Sequence, residues 1–189
     1  MCGRYYIEID DRELKDICDA VSRRQDETNE QLEIKLSGEI FPTDIVPVIT
    51  GTGVYRPMKW GFTSYGGKPI INARSETAYV KPMFRDSMKI RRCLIPASGY
   101  YEWQKEGKRK IKHRFYTPDK PLYLAGCFKQ EEGLPVQSFV ILTREAAGGI
   151  EAIHNRMPLI IPCSGLELWL DKGAYTGGAP PEALLFELA

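Results

Sequence analysis

A chain of 189 residues, 43% hydrophobic and 27% charged, is sized for one domain that buries its core without disulfide or metal staples. Its 26 lysines and arginines against 25 aspartates and glutamates leave a formal charge of +1, so bulk charge neither demands nor excludes a polyanionic partner. Five widely spaced cysteines, two histidines, no CxxC or HxxxH pair and no apolar run near the ~20 residues of a membrane span argue against a disulfide scaffold, a zinc site and a membrane protein. The N-terminus also lacks the apolar run of a secretory signal, and the expectation is a reduced, cytoplasmic chain with no metal and no cofactor.

The chain opens Met1-Cys2-Gly3-Arg4. Once Met1 is removed, Cys2 carries an α-amine titrating near pH ~7.7–8.0 and a thiol near ~8.5 on adjacent carbons. That pair can capture an aldehyde: the amine condenses to an imine, and sulfur then adds to the imine carbon to close a five-membered thiazolidine, which an internal cysteine cannot form. The same residue could attack an amide carbonyl, or be incidental.

Strand character follows at Arg4 to Glu8. Asp11 to Val21 predicts a helix, with Leu14, Ile17, Cys18 and Val21 at i, i+3, i+4, i+7 spacing and Asp10 or Asp11 as its cap; Ser22 to Glu30 reads as a polar surface loop. Strands are expected at Ile45 to Thr50 and Val54 to Phe62, then a helix over part of Glu76 to Met88, interrupted near Pro82. Further strands are expected at Arg91 to Ile95, Tyr100 to Gln104, Lys112 to Tyr116, Leu122 to Phe128, Val136 to Thr143 and Met157 to Ile161, with helices at Gly165 to Leu170 and Pro181 to Leu188. The pattern is α+β with mostly antiparallel strands, and no boundary divides residues 1–189 into two domains.

Four clusters set polar or ionisable residues among glycine, proline and aromatics. In Cys2-Gly3-Arg4-Tyr5, glycine clears space beside the nucleophile and arginine offers a forked cation for phosphate or carboxylate. In Asn72-Ala73-Arg74-Ser75-Glu76-Thr77, Asn72 can both donate and accept, while Ser75 and Glu76 read as helix caps. Gly99-Tyr100-Tyr101-Glu102-Trp103 places an acid between aromatics, where desolvation would raise its pKa; the plainer reading is an exposed glutamate on an alternating strand. Ile153-His154-Asn155-Arg156-Met157-Pro158 holds a histidine suited to proton exchange, whereas His113, within the basic run Lys108 to Arg114, reads as solvated surface.

Together these four ordered motifs, spaced over nearly the whole chain, closely resemble the SRAP (SOS response-associated peptidase) family, with secondary matches at Trp60-Gly61, Leu124-Ala125-Gly126 and Ile141-Leu142-Thr143. The resemblance implies an SRAP-like single α+β domain, with a barrel-like, mostly antiparallel β core and short flanking helices, that binds single-stranded DNA and crosslinks abasic sites as a thiazolidine. An abasic deoxyribose opens transiently to an aldehyde, which suits the chemistry of Cys2. Carried over, Cys2 is the nucleophile, Asn72 positions it, and Glu102 and His154 share the proton transfers, which extend to adduct reversal or strand cleavage by β-elimination.

Arg4, Arg74 and Arg156 are then expected on phosphates, Trp103 and Trp60 on bases, and Thr143 near the site. The chain departs from the family at Trp60-Gly61-Phe62-Thr63-Ser64, where Trp-Gly-Leu and a proline are common, and at Asn155, where aspartate is common. A monomer without membrane contact, bacterial or phage-borne, is expected. Two other classes remain open at this point: a cysteine peptidase or amidohydrolase using Cys2, and a non-covalent reader of damaged or modified single-stranded DNA.

Overall fold

The computed structural model describes residues 2–28, 32–118, 120–172 and 183–189. Strands and helices follow in the order β1 (Arg4–Ile7), α1 (Arg12–Thr28), β2 (Gly38–Ile40), β3 (Ile45–Gly51), β4 (Val54–Trp60), β5 (Asn72–Arg74), α2 (Ser75–Ala78), α3 (Pro82–Ile90) and β6 (Arg92–Ala97). The C-terminal half adds β7 (Gly99–Glu106), β8 (Arg109–Tyr116), β9 (Leu122–Lys129), β10 (Ser138–Glu145), β11 (Arg156–Pro158), α4 (Leu166–Lys172) and β12 (Leu185–Leu188).

Two sheets share the core. One has the order β12-β8-β7-β1-β2, antiparallel throughout. The other runs β11-β10-β4-β3-β6-β9, and because β9 pairs back onto β10, its strands β3, β4, β10, β9 and β6 close into a ring. A ring leaves no bare edge along its closed strands. Within it β10 is the hub: it runs parallel to β4 and β5 and antiparallel to β9 and β11. The expected α+β, barrel-like, mostly antiparallel core is what the chain forms.

The hydrophobic interior joins the sheets through Tyr5, Ile7, Val46, Val48, Met58, Trp60, Ile95, Tyr100, Phe115, Phe139 and Ile141. A second cluster lies under α3 and α4, around Phe62, Phe84, Met88, Tyr123 and Trp169. Register between β1 and β7 depends on Gly99, where a Cβ would run into the Phe115 carbonyl and the Tyr6 ring. With only hydrogen there, Tyr6 pairs with Gly99 and Arg4 with Tyr101.

Most elements form where the sequence predicts them, and Asp11 does cap α1, its Oδ1 accepting from the Leu14 N–H at 3.0 Å. Three readings are corrected. Helix α1 continues through Ser22 to Thr28 rather than yielding to a loop; Arg, Gln and Glu are good helix formers despite their polarity. Residues 185–188, expected as helix, are strand β12, because the open edge of β8 supplies a hydrogen-bonding ladder. Ser75 is the first helical residue of α2, and the cap position falls on Arg74. Among the described residues no helix is long and apolar enough to cross a membrane, and no group of three or more His, Cys, Asp or Glu side chains gathers.

Candidate active site

Strand β1 runs antiparallel to β7 with Arg4 opposite Tyr101, which brings the start of the chain near Glu102. Cys2 is fully buried there, its Sγ lying 3.8 Å from the Arg4 carbonyl oxygen. Strand β5 reaches the same place from the other sheet, held parallel to β10 with Asn72 opposite Ile141. From it Asn72 Nδ2 donates to the Cys2 carbonyl oxygen at 2.8 Å. The Asn72 Oδ1 is buried and has no hydrogen-bond partner among the described residues. One end of this amide fixes the Cys2 backbone; the other is a buried acceptor with its capacity unused.

Burial dominates the electrostatics. It pushes the Cys2 thiol well above its ordinary value, and the nearby Glu102 charge adds to the rise. Glu102, 2% exposed on β7, has its own carboxyl pushed up by burial. Burial thus favours the neutral form of both groups, which is the protonation a general acid beside an uncharged thiol needs. The buried hydroxyls of Tyr5 and Tyr100, without hydrogen-bond partners among the described residues, are also raised, first by burial and then by the Cys2 charge.

His154 follows a 3-10 turn at Ile150–Ala152. Gln104 on β7 donates from Nε2 to the Ala152 carbonyl at 3.0 Å and ties that turn to the strand carrying Glu102. The His154 Nδ1 accepts from the Arg156 N–H at 3.0 Å. The same Nδ1 also lies 3.2 Å from the Arg156 carbonyl oxygen, so both backbone polar groups of Arg156 meet this nitrogen. Burial lowers the His154 pKa, and the Lys105 charge contributes in the same direction, so the ring is a neutral base at pH 7.

The residues expected on DNA fall into two groups. Arg74 is exposed and has no ion pair among the described residues. It lines a cleft of about 1280 Å³ with Asn72, Lys81, Lys129 and Tyr65. Trp103 is half-buried, with the Arg4 guanidinium 5.2 Å from its ring; Arg4 also pairs with Glu39 at 3.1 Å. These positions meet solvent.

Trp60, Thr143 and Arg156 do not. Trp60 is fully buried, stacked near-parallel on Phe139 at 6.4 Å and donating from Nε1 to the Ile71 carbonyl at 3.1 Å, so it has no face to offer a base. Thr143 is fully buried on β10, paired in the ladder with Arg74 of β5. Arg156 grips a protein carboxylate in place of a phosphate: its two terminal nitrogens hold Glu76 at 2.7 and 2.9 Å, and one also donates to the Thr143 carbonyl at 2.6 Å. The pair holds Glu76 at a pKa of about 2. Glu76 thus braces β11 against α2, where the sequence reading made it a cap.

A family model described as SOS response associated peptidase (SRAP) matches residues 1–186. The chain belongs to the SRAP family. The abasic site processing protein YedK of Escherichia coli (strain K12) is 34% identical over 119 residues, 60% of this chain and 54% of that protein. The abasic site processing protein YMR114C of Saccharomyces cerevisiae is 26% identical over 200 residues, 89% of this chain and 54% of its own. The chain therefore spans about half the length of the curated relatives it matches. In fold, a crystal structure of a protein from Bacteroides thetaiotaomicron superposes with a TM-score of 0.81 at 20% identity, covering 99% of this chain and 91% of that one.

Within this SRAP domain the sequence reading passed over three buried polar side chains near Cys2 and Glu102. Tyr5 and Tyr100 looked like ordinary strand aromatics, and only their unmet hydroxyls set them apart. His113 is 7% exposed, with Nε2 3.1 Å from Gln104 Oε1 and Glu102 directly across the ladder, so it is no solvated surface residue. Its inward position follows from strict alternation along β8, with Phe115 buried two residues on.

Proposed function

We propose that this domain binds single-stranded DNA and captures abasic sites covalently through Cys2, after Met1 is removed, as a thiazolidine that shields the lesion. The observation that carries the reading is the buried Cys2, clamped at its carbonyl by Asn72 and faced by a desolvated Glu102. Relatives named as abasic site processing proteins support the substrate.

Protonated Glu102 assists opening of the sugar ring and departure of the carbinolamine hydroxyl as water, leaving an imine between the Cys2 nitrogen and the sugar C1. The Cys2 sulfur then adds to that carbon, and its proton ends on nitrogen, so capture releases one water in total. His154, its imidazole neutral, serves the sugar hydroxyl, including the protons needed for reversal or for β-elimination from the imine.

A peptidase fits these surroundings less well. Attack on an amide needs a thiolate, and catalytic cysteines have lowered pKa values, whereas burial raises this one. An imine is electrophilic enough to be attacked as its nitrogen takes up the thiol proton.

The test separates the two Cys2 nucleophiles. Protein lacking Met1 is prepared with its α-amine acetylated and its thiol free, then offered a single-stranded oligonucleotide with one abasic site. Loss of the denaturant-resistant adduct supports capture through the imine; an undiminished adduct refutes it.

A further inference from the structure

The β7–β8 hairpin concentrates charge in a near-neutral chain. Between Trp103 and Tyr116 lie six lysines and arginines and one glutamate, so the rest of the chain holds 20 basic against 24 acidic residues. Lys105, Lys108, Arg109 and Lys110 are exposed and have no ion pair among the described residues. Two further cations are neutralised, Lys112 by Glu39 and Arg114 by Glu8.

Register sorts these residues. Glu102 faces His113 on the core side, so the pairs Tyr101–Arg114, Trp103–Lys112 and Lys105–Lys110 share the opposite, outer side. Rings and cations interleave there: Lys112 Nζ sits 3.8 Å from the Tyr101 ring centre, the Arg114 guanidinium 5.2 Å from Tyr116, and Arg4 5.2 Å from Trp103. The ladder starts at the site, where Trp103 follows Glu102 and carries the Arg4 guanidinium over its ring, and the Lys105 charge reaches His154. It extends about 14 Å to the turn at Gly107, at roughly 3.4 Å per residue. Stacking rings followed by unpaired cations along one line form the pattern that tracks a single-stranded backbone.

We propose that the outer face and turn of the β7–β8 hairpin form a second contact for single-stranded DNA, holding the phosphates that flank the lesion on one side. This rests on the capture reading for its geometry, since the track begins at Trp103, but binding along it needs no covalent step.

The experiment uses the triple substitution Lys108→Gln, Arg109→Gln, Lys110→Gln, whose side chains are exposed, and a charge-keeping control, Lys108→Arg with Lys110→Arg. Affinity is measured across salt for undamaged single strands of three and of fifteen nucleotides, and crosslinking for abasic strands with flanks lengthened separately on the 5′ and 3′ sides. If the three cations sit on phosphates, the triple variant loses at least tenfold affinity for the long strand near 0.1 M salt, and its salt slope falls by about 2, at ~0.7 per phosphate on single strands. The trinucleotide and the charge-keeping control stay within twofold, and the crosslinking gain from added flank disappears on one side only. Equal losses on short and long strands, or no loss on the long one, would overturn the proposal. Failure of wild-type protein to crosslink would count against the capture reading alone, because the undamaged strands still judge the hairpin.

Discussion

Strand β7 has two sides of opposite character, and under the proposed function one serves chemistry and the other recognition. Inward, Tyr100, Glu102 and Gln104 alternate toward the core, where lost solvation raises the proton affinity of Glu102 and of its neighbour Cys2. Outward, Tyr101, Trp103 and Lys105 meet water, and their neighbours are cations at ring-stacking distance. A group that must hold a proton at neutral pH belongs where water is scarce; one that must meet a solvated polyanion belongs where it is not. The period of two along a strand delivers both within six residues.

The deepest cut into the inward side is Glu102→Gln, which keeps the shape and removes the proton. Adduct formation should slow by roughly 100-fold or more, the scale of a lost general acid, measured as single-turnover rates. A raised carboxyl pKa keeps the acid form present to higher pH than an ordinary glutamate, so the wild-type rate declines as pH rises through that value, and the variant loses this limb. A variant that retains the same profile would move the acid role elsewhere.

Asn72→Ala releases the Cys2 carbonyl and should slow adduct formation by about 10- to 100-fold with little change in DNA affinity, since misplacing a nucleophile costs on that order. Unaltered crosslinking would remove Asn72 from the site.

The outward side is addressed by Trp103→Ala. Stacking contributes about 1–3 kcal/mol per base, so binding of single strands should weaken by about tenfold while thermal stability barely moves. Trp60→Phe should do the reverse, lowering stability by about 1–3 kcal/mol through the void it leaves, with affinity kept.

The smallest expected effect falls on the brace beneath the site. Glu76 has a folded pKa of about 2 against an ordinary 4.5, so its pairing with Arg156 stabilises the fold above pH 4.5 and is lost as pH falls toward 2. Glu76→Gln should remove that acid-labile component, about 1 kcal/mol at neutral pH after allowing for a half-exposed carboxylate. The check is denaturant unfolding of both proteins at pH 7 and pH 3, where their difference should shrink.

Strand positions were legible because alternation and turn residues repeat all along the chain, and two of the motifs hold Asn72 and Glu102, which lie beside Cys2. What sequence hid was partnership across distance. Arg4, Arg74 and Arg156 look alike in a motif, yet the last is committed to Glu76, 80 positions away. Trp60 and Trp103 both sit in short motifs that contain glycine, and only packing against Phe139 reveals the first as core. Residues 185–188 take the strand form because β8 offers them an edge, which no local propensity records.

The central claim is that Cys2 closes a ring on the lesion aldehyde. Its most direct test is the intact mass of the product formed from protein lacking Met1 and a single-stranded oligonucleotide with one abasic site, isolated under denaturing conditions without a reductant. The account predicts a species equal to protein plus DNA minus one water, absent with undamaged DNA and with Cys2→Ala; no such species, or one that persists in Cys2→Ala, would contradict it.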